Sequence, residues 1–279
     1  MKKILFVFLS LCLIFTECFA EEIDVFKLAE NGTPKQLQEA INKGANVNVK
    51  EGLDFGYKTP LHYAASYNHN PKSINFLISK GLDVNDVFYE GNIIFGTPLT
   101  CAIRNKNIDA VYELLKAGAD PNSFSNDGNY TYGTPLHVIA MKYKDNYSVT
   151  KKVIAALIKA GSNINYHENP DSDYYEYYSD IFLPPRNQWE AETCPLSNVR
   201  NYSNAGLDNF LSSFTPLMYA VLYDNADVVD ILLKEKANAN IRNVEGKTAL
   251  DYARELPKNS SIKKSSTYRN LIKTTNSQK

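Results

Sequence analysis

Short blocks of apolar residues at helical spacing alternate with polar turns along most of the chain. In the clearest stretch, Thr215 and Pro216 open one block, and a second block at residues 228–233 keeps its apolar side chains on one helix face. Thr215 is a favourable helix N-cap, and Pro216 suits the first helical position because its missing N–H needs no partner there. The pattern predicts two short helices packed side by side.

This two-helix pattern returns at a regular interval. Residues 248–253 (TALDYA) repeat residues 215–220 (TPLMYA) after 33 positions, and a turn segment that ends at Gly246 separates the copies. Similar helix starts open at Thr59, Thr97 and Thr134. A period of about this length is typical of repeat proteins, in which each unit packs only against its neighbours. The chain is therefore predicted to be an elongated array with a distributed core.

Two signatures recur along the array in matching order. The helix start reads TPLHYAA from Thr59, TPLTCA from Thr97 and TPLHVIA from Thr134. The helix exit reads GANVN, GLDVN, GADPN, GSNIN and KANAN, at residues 44–48, 81–85, 118–122, 161–165 and 236–240. These motifs resemble those of the ankyrin repeat family. The resemblance implies an all-α repeat solenoid, built as a stack of helix-turn-helix units with β-turn fingers. It also implies a binding scaffold, because the family shares no reaction.

The motifs divide the chain into a leader, residues 1–20, and an array of about six units at residues 21–279. A cap is predicted at residues 23–48, and further units start near residues 59, 97, 134, 215 and 248. The largest departure from the regular spacing is an insertion at residues 166–214. A link of this length without secondary structure of its own is either functional or disordered.

The first twenty residues have the form of a bacterial secretory signal peptide. Lys2 and Lys3 precede a mostly apolar run at residues 4–15, and Ala20 offers a small side chain at the expected cleavage position. The run is shorter than the roughly 20 residues of a membrane span, so we expect no span once the leader is removed. We expect a cut after Ala20 and a periplasmic or secreted protein, with an uncleaved anchor as the alternative.

Aromatic residues are concentrated in the long links between units, where the resemblance places partner contacts. Tyr and Trp offer a large contact area with few rotatable bonds, which makes them frequent anchors of protein interfaces. The same rings could instead staple the long fingers together as cross-strand pairs. The candidate partner-binding residues are Phe55, Tyr57, Phe88, Tyr89, Phe95, Phe124, Tyr130, Tyr132, Tyr174, Tyr175, Tyr177, Tyr178 and Trp189.

Little in the sequence points to catalysis, a metal or a cofactor. His62 and His137 belong to the helix-start motif, and the resemblance implies that their rings tie neighbouring repeats together by hydrogen bonds. An acidic run at residues 171–180 lacks the loop glycine and the ligand spacing of a calcium site. With 30 basic and 31 acidic residues the chain is nearly neutral, which argues against nucleic-acid binding. We expect no enzymatic activity, cofactor or metal.

Two cysteines, Cys101 and Cys194, remain after removal of the leader. In an oxidising compartment they could form a disulfide that pins the insertion to the third unit. Alternatively, Cys101 packs in an inner helix as a small apolar thiol. Both alternatives stay open at this point.

The sequence favours a monomeric scaffold that binds another protein through a concave face of inner helices, the aromatic fingers and the insertion at residues 166–214. One alternative is that the insertion forms a small ligand-binding or catalytic device, with polar groups from His167, Asp171, Asp173 and Glu176. Another alternative is a translocated effector that binds a host protein. No motif identifies the partner.

Overall fold

The computed structural model describes residues 23–52, 57–90, 93–126, 132–167 and 213–278. The predicted leader and residues 168–212 of the predicted insertion lie outside these ranges. The helices are α1 (Val25–Asn31), α2 (Pro34–Asn42), α3 (Pro60–Tyr67), α4 (Pro71–Ser79), α5 (Pro98–Arg104), α6 (Ile108–Lys116), α7 (Pro135–Lys142), α8 (Tyr147–Lys159), α9 (Pro216–Leu222), α10 (Ala226–Lys234), α11 (Ala249–Glu255), α12 (Ser261–Lys264) and α13 (Thr267–Ser277). The strands are β1 (Phe88–Glu90), β2 (Ile93–Gly96), β3 (Ser125–Asn126) and β4 (Tyr132–Gly133).

The described helices form pairs, and the pairs stack into two layers. The inner helices α1, α3, α5, α7, α9 and α11 contact one another in that order. The outer helices α2, α4, α6, α8, α10 and α13 follow the same order, and each packs on the inner helix of its own pair. We number these pairs as units 1 to 6. Buried apolar side chains form a single cluster that runs through all of them. The prediction of an all-α repeat solenoid is confirmed.

The threonines that open the inner helices lie at the N-cap, and in units 2, 4 and 6 the side chain three residues on accepts a hydrogen bond from the threonine N–H. The N–H groups of Thr59 and Thr134 donate to Nδ1 of His62 and His137, at 3.2 and 3.0 Å. In unit 6 the Thr248 N–H donates instead to the carboxylate of the residue three positions on, at 2.9 Å. Because Nδ1 accepts an N–H in both histidines, the proton of each neutral ring lies on Nε2.

The long links of the first half of the array form fingers beside the inner helices. Strand β1 pairs with β2, and β3 pairs with β4, both antiparallel. The link between units 1 and 2 contributes a single bridge between Glu51 and Lys58. The sequence predicted β-turn fingers of extra length, and the structure shows that the two between units 2 and 4 are short hairpins. Added residues thus lengthen the fingers and leave the helix pairs intact.

Glycines at the ends of the hairpins let each finger approach an inner helix closely. Gly133 has a φ of 129°, and a Cβ there would lie 2.6 Å from the His137 ring. Gly96 has a φ of 118°, and its Cβ would lie 2.1 Å from Thr100 Oγ1. Both the backbone conformation and the available space exclude a larger residue. The hairpins are therefore held directly against the starts of α5 and α7.

Replacement of Gly133 by alanine is expected to destabilise the fold by about 3 kcal/mol, because backbone strain and the clash with His137 add. Gly118 is the matched control, since its φ of 91° is also positive but a Cβ there meets nothing within 4 Å. Gly118→Ala should cost only about 1–2 kcal/mol. Urea unfolding of the two variants measures the difference. Equal losses would show that the clash contributes nothing.

Buried asparagines join successive units at the ends of the inner helices. Asn68 Nδ2 donates to the carbonyl oxygens of Ala29 and Gly32 in unit 1, at 2.8 and 2.9 Å. Asn107 and Asn225 make equivalent pairs of bonds to the inner-helix ends of units 2 and 4. These amides satisfy carbonyl groups that the helices leave without an internal partner. They also fix the stacking register of each unit on the previous one.

Units 4 and 5 stack directly, although residues 168–212 separate them in the sequence. The Asn238 N–H donates to Asn165 Oδ1 at 2.8 Å, which joins the helix exits of the two units. His137 Nε2 lies 3.0 Å from the carbonyl oxygen of Phe214, at the start of unit 5. The array is therefore continuous across this junction.

Candidate functional site

The face of the inner helices beside the fingers carries several tyrosines, of which Tyr67 is exposed. We define this inner-helix surface by the positions four, seven and eight residues after the first residue of each unit, counting Ile23 as the first residue of unit 1. It is rich in tyrosine in units 2, 5 and 6. Its tyrosines are Tyr63, Tyr67, Tyr219, Tyr223 and Tyr252. They fall into two clusters, one toward each end of the array.

The N-terminal aromatic cluster comprises Phe26, Tyr63 and Tyr67. The ring centroids of Phe26 and Tyr63 are 5.4 Å apart. The Tyr63 hydroxyl donates to the carboxylate of Glu51 in the first finger. Burial, together with this carboxylate, raises the pKa of Tyr63 to about 12. Tyr63 is therefore a neutral hydrogen-bond donor, and the finger holds its ring in place.

The C-terminal aromatic cluster comprises Phe214, Tyr219, Tyr223 and Tyr252. The Tyr219 ring is edge-on to Phe214, with centroids 6.0 Å apart, and stacks on Tyr223 at 6.2 Å. Phe214 lies 5.1 Å from Tyr252. The Tyr252 hydroxyl donates to Glu245 at 3.0 Å, so a finger glutamate holds a tyrosine here as well. Of these four rings, Phe214, Tyr219 and Tyr252 are buried and Tyr223 is half-buried, so Tyr223 is the ring of this cluster that a partner could reach.

Tyr57, a predicted partner-binding residue, lies in a contact between fingers. Its hydroxyl donates to Asp86 Oδ1 at 3.3 Å, and Lys50 Nζ lies 3.6 Å from its ring centroid. Lys50 also pairs with the Asp86 carboxylate at 3.4 Å. The contacts with Tyr57 and Asp86 raise the pKa of Lys50 despite some desolvation. These three side chains staple the first finger to the helix exit of unit 2.

Phe88 is also used inside the array. It is only 8% exposed, and Lys58 Nζ lies 4.4 Å from its ring centroid. Phe124 is half-buried against the core. The structure gives backbone positions in the hairpins for Tyr89, Phe95 and Tyr132. The remaining candidates lie outside the described residues and are Phe55, Tyr130, Tyr174, Tyr175, Tyr177, Tyr178 and Trp189. Partner binding by this set of residues stays a prediction.

The two motif histidines are buried and have structural contacts. Burial lowers the pKa of His62 and of His137 to about 4. His137 Nε2 donates to Phe214 of the next unit, in keeping with the role that the resemblance implied. His62 Nε2 is buried without a hydrogen-bond partner among the described residues, and its ring lies edge-on to Phe88 at 6.2 Å. The two rings are therefore neutral parts of the repeat interfaces at physiological pH.

Cys101 is half-buried on the inner-helix surface of unit 3. Burial raises the pKa of its thiol, which favours the protonated form. Cys194 lies outside the described residues. The disulfide between Cys101 and Cys194 stays a prediction.

Among the described residues, no group of three or more His, Cys, Asp and Glu side chains is placed to hold a metal ion. None of the described helices has the length and hydropathy needed to cross a bilayer.

The sequence analysis missed the inner-helix tyrosines as individual site residues. It named a concave face of inner helices but assigned candidate residues only to the fingers and the insertion. The signal was present in the helix-start motif, because its fifth position, counted from the threonine, is tyrosine in units 2, 5 and 6. These residues are Tyr63, Tyr219 and Tyr252. Recurrence at one motif position marks one face of the stack.

Comparison with known proteins agrees with the repeat architecture. Two family models match the chain. The model described as "Ankyrin repeats (3 copies)" matches residues 25–125, and the model described as "Ankyrin repeats (many copies)" matches residues 205–253. No curated protein matches the chain in sequence. An ankyrin repeat domain from Acinetobacter baumannii is structurally similar, with 19% identity, a TM-score of 0.56, and coverage of 90% of this chain and 96% of that chain.

A second similar chain comes from the structure of a predatory endopeptidase from Bdellovibrio bacteriovorus in complex with an immunity protein. It has 21% identity and a TM-score of 0.54, and the match covers 89% of this chain and 96% of that chain. At these identities the likeness concerns the fold. The ankyrin models together match more than half of the 279 residues, on a chain whose described helices stack in repeated pairs. The chain therefore belongs to the ankyrin repeat family.

Proposed function

We propose that the chain is a non-enzymatic scaffold of the periplasm or the cell exterior that binds another protein through its inner-helix surface, its fingers and the insertion at residues 166–214. Ankyrin repeats generally mediate protein–protein interaction. The observation that carries the proposal is the N-terminal aromatic cluster, in which the exposed Tyr67 lies beside the half-buried Phe26 and Tyr63 on one face of a continuous stack. Rigid aromatic rings lose little entropy on binding, so they suit the anchors of an interface.

The proposed location rests on the leader alone. A basic start, a short apolar run and Ala20 are the features that support export. N-terminal sequencing of the protein recovered from its native compartment tests this part. A start at Glu21 is the expected result, and recovery of an intact leader from the cytoplasm would contradict export.

Binding is tested by capture of partners from the envelope and culture supernatant of the source organism, with the chain from Glu21 onward as bait. The double variant Tyr67→Ala/Tyr223→Ala removes the exposed ring of one cluster and the half-buried ring of the other, and we expect it to weaken capture at least tenfold. The control is Tyr112→Ala/Tyr147→Ala, because these tyrosines are 38% and 36% exposed but lie on outer helices. Thermal melting should be nearly unchanged for both.

A bait with residues 166–214 shortened to a seven-residue turn separates the insertion from the stack. Since units 4 and 5 contact each other directly, we expect this bait to stay folded. Loss of capture only with the shortened bait would place the main contacts in the insertion. Equal losses from the inner and outer tyrosine variants would refute the inner-helix surface as the site.

A structurally similar protein suggests one class of candidate partner. The Bdellovibrio bacteriovorus structure contains an endopeptidase in complex with an immunity protein, so secreted and periplasmic peptidases belong in the capture experiment. Failure of every bait to retain a protein would remove support for the scaffold. Retention of a small ligand only by the full chain would then favour the alternative of a ligand-binding or catalytic insertion.

A further inference from the structure

Four side chains at the N-terminal end of the inner-helix surface form a compact arrangement on two adjacent helices. Phe26 and Glu30 are four residues apart on α1, and Tyr63 and Tyr67 are four residues apart on α3. Residues at this spacing share one helix face. The contact between the Phe26 and Tyr63 rings, at 5.4 Å, shows that the two faces meet.

The arrangement combines a solvent-exposed aromatic ring with nearby carboxylates. Tyr67 is 48% exposed, the highest value among the large hydrophobic side chains of the described residues. Glu30, Glu51 and Tyr67 all raise the pKa of Tyr63, after the larger effect of burial, which places both carboxylates near that ring. The Glu51 carboxylate already accepts the Tyr63 hydroxyl. Glu30 makes one described hydrogen bond, accepted from the amide of Asn31 at 3.3 Å.

Elsewhere in the array, aromatic rings repeatedly hold a lysine ammonium of the same chain. The distances from Nζ to the ring centroid are 3.6 Å for Lys50 on Tyr57, 4.4 Å for Lys58 on Phe88 and 4.9 Å for Lys80 on Phe76. Lys58 also lies 5.8 Å from the Tyr63 ring centroid. Within the described residues, the Tyr67 ring has no such cation. The most exposed ring thus remains open to a cation from a partner.

We infer that Phe26, Glu30, Tyr63 and Tyr67 receive a basic side chain, arginine by preference, from the protein partner. This inference rests on the proposed function, because it names the chemistry by which the inner-helix surface recognises a protein. A guanidinium stacks on an aromatic face more readily than an ammonium does, and its planar fork can pair with a carboxylate at the same time. Tyr67 offers the face, and Glu30 offers the carboxylate.

Two lysines near this arrangement work against such a ligand, namely Lys58, 5.8 Å from the Tyr63 ring centroid, and Lys27. Lys27 is exposed on α1 and lies three residues before Glu30, on the same side of the helix. Its ammonium would repel an incoming guanidinium. Removal of this charge by Lys27→Ala should therefore strengthen binding of a basic side chain, by about twofold to fivefold at low salt.

The test is a selection of random eight-residue peptides on the immobilised chain from Glu21 onward. We expect arginine to be enriched at one position of the bound peptides. The strongest peptide is then synthesised with arginine and with citrulline, which has nearly the same shape without the charge. Fluorescence anisotropy should show at least tenfold weaker binding of the citrulline peptide.

Matched variants assign the effect to Glu30 and Tyr67. Glu30→Gln and Tyr67→Ala should each weaken binding of the arginine peptide about tenfold and should reduce the difference from citrulline, whereas Tyr67→Phe should preserve both. Glu39→Gln, an exposed carboxylate change on outer helix α2, should alter neither. Circular dichroism melts exclude unfolding as the cause.

Two results would overturn the inference. One is a bound pool without enrichment of arginine or lysine, and the other is a citrulline difference that persists in Glu30→Gln and Tyr67→Ala. Either result leaves the scaffold function standing if partner capture still depends on Tyr67 and Tyr223. The scaffold function fails separately, when no bait retains a protein from the native compartment.

Discussion

Between pH 7 and pH 5 the folded array is expected to lose about 4 kcal/mol of stability, shared by His62 and His137. Burial lowers the pKa of both rings from 6.5 to about 4, so the folded state resists protonation that the unfolded chain accepts. Their contribution is fully present above about pH 6.5 and is lost as the pH falls toward 4. Urea unfolding at a series of pH values measures it.

Replacing one histidine should remove its share of this pH dependence, whatever the variant does to stability at pH 7. His137→Thr is a suitable change because unit 3 carries Thr100 at the same motif position. We expect the loss between pH 7 and pH 5 to fall by about half. His69→Gln is the control, since His69 is exposed in a turn. An unchanged slope in His137→Thr would contradict a buried, neutral ring.

Tyr219→Ala is expected to destabilise the C-terminal half of the array by about 4 kcal/mol, because it leaves a cavity at the junction of units 4 and 5. Tyr219 is fully buried, with its ring 5.1 Å from His137 and 6.0 Å from Phe214. In a repeat array, a weak interface lets the parts unfold separately. Chemical unfolding followed by circular dichroism should therefore show two steps in place of one.

Two further variants locate this effect. Tyr219→Phe keeps the ring and should retain most of the stability. Tyr147→Ala removes a tyrosine that is 36% exposed on α8, and its cost should stay below about 1 kcal/mol. Hydrogen exchange should show faster opening of units 5 and 6 in Tyr219→Ala, with units 1 to 3 protected as before. Uniform loss of protection would mean that the array unfolds as one block.

The fold could be predicted from the sequence because each unit carries its own local signals. Thr59 and Pro60 act within one helical turn, and the capping bond from Thr59 to His62 involves residues three positions apart. The first unit lacks these residues, and its helix begins after Asp24, whose carboxylate accepts from the Lys27 N–H. The same capping chemistry therefore operates there through a different residue.

Details of the candidate site depend on contacts between units, which no local pattern contains. In the sequence, Tyr57 and Phe88 look alike, because both are aromatic residues of the fingers. In the structure, Tyr57 bridges to Asp86, whereas Phe88 packs beside His62. A register shift between Phe88 and Tyr89 in the hairpin of β1 and β2 is a further detail of this kind. The direct contact of units 4 and 5 was likewise not visible, since its partners, such as Asn165 and Asn238, are 73 residues apart.

The junction of units 4 and 5 gives this single chain a property of two-subunit assemblies. The contacts that align the two blocks are noncovalent, with bonds from His137 to Phe214 and from Asn238 to Asn165. For the stacking of the two blocks, their covalent connection keeps the effective concentration high. A protease cut in that connection would leave complementary fragments, and the stability of the reassembled array would then depend on protein concentration.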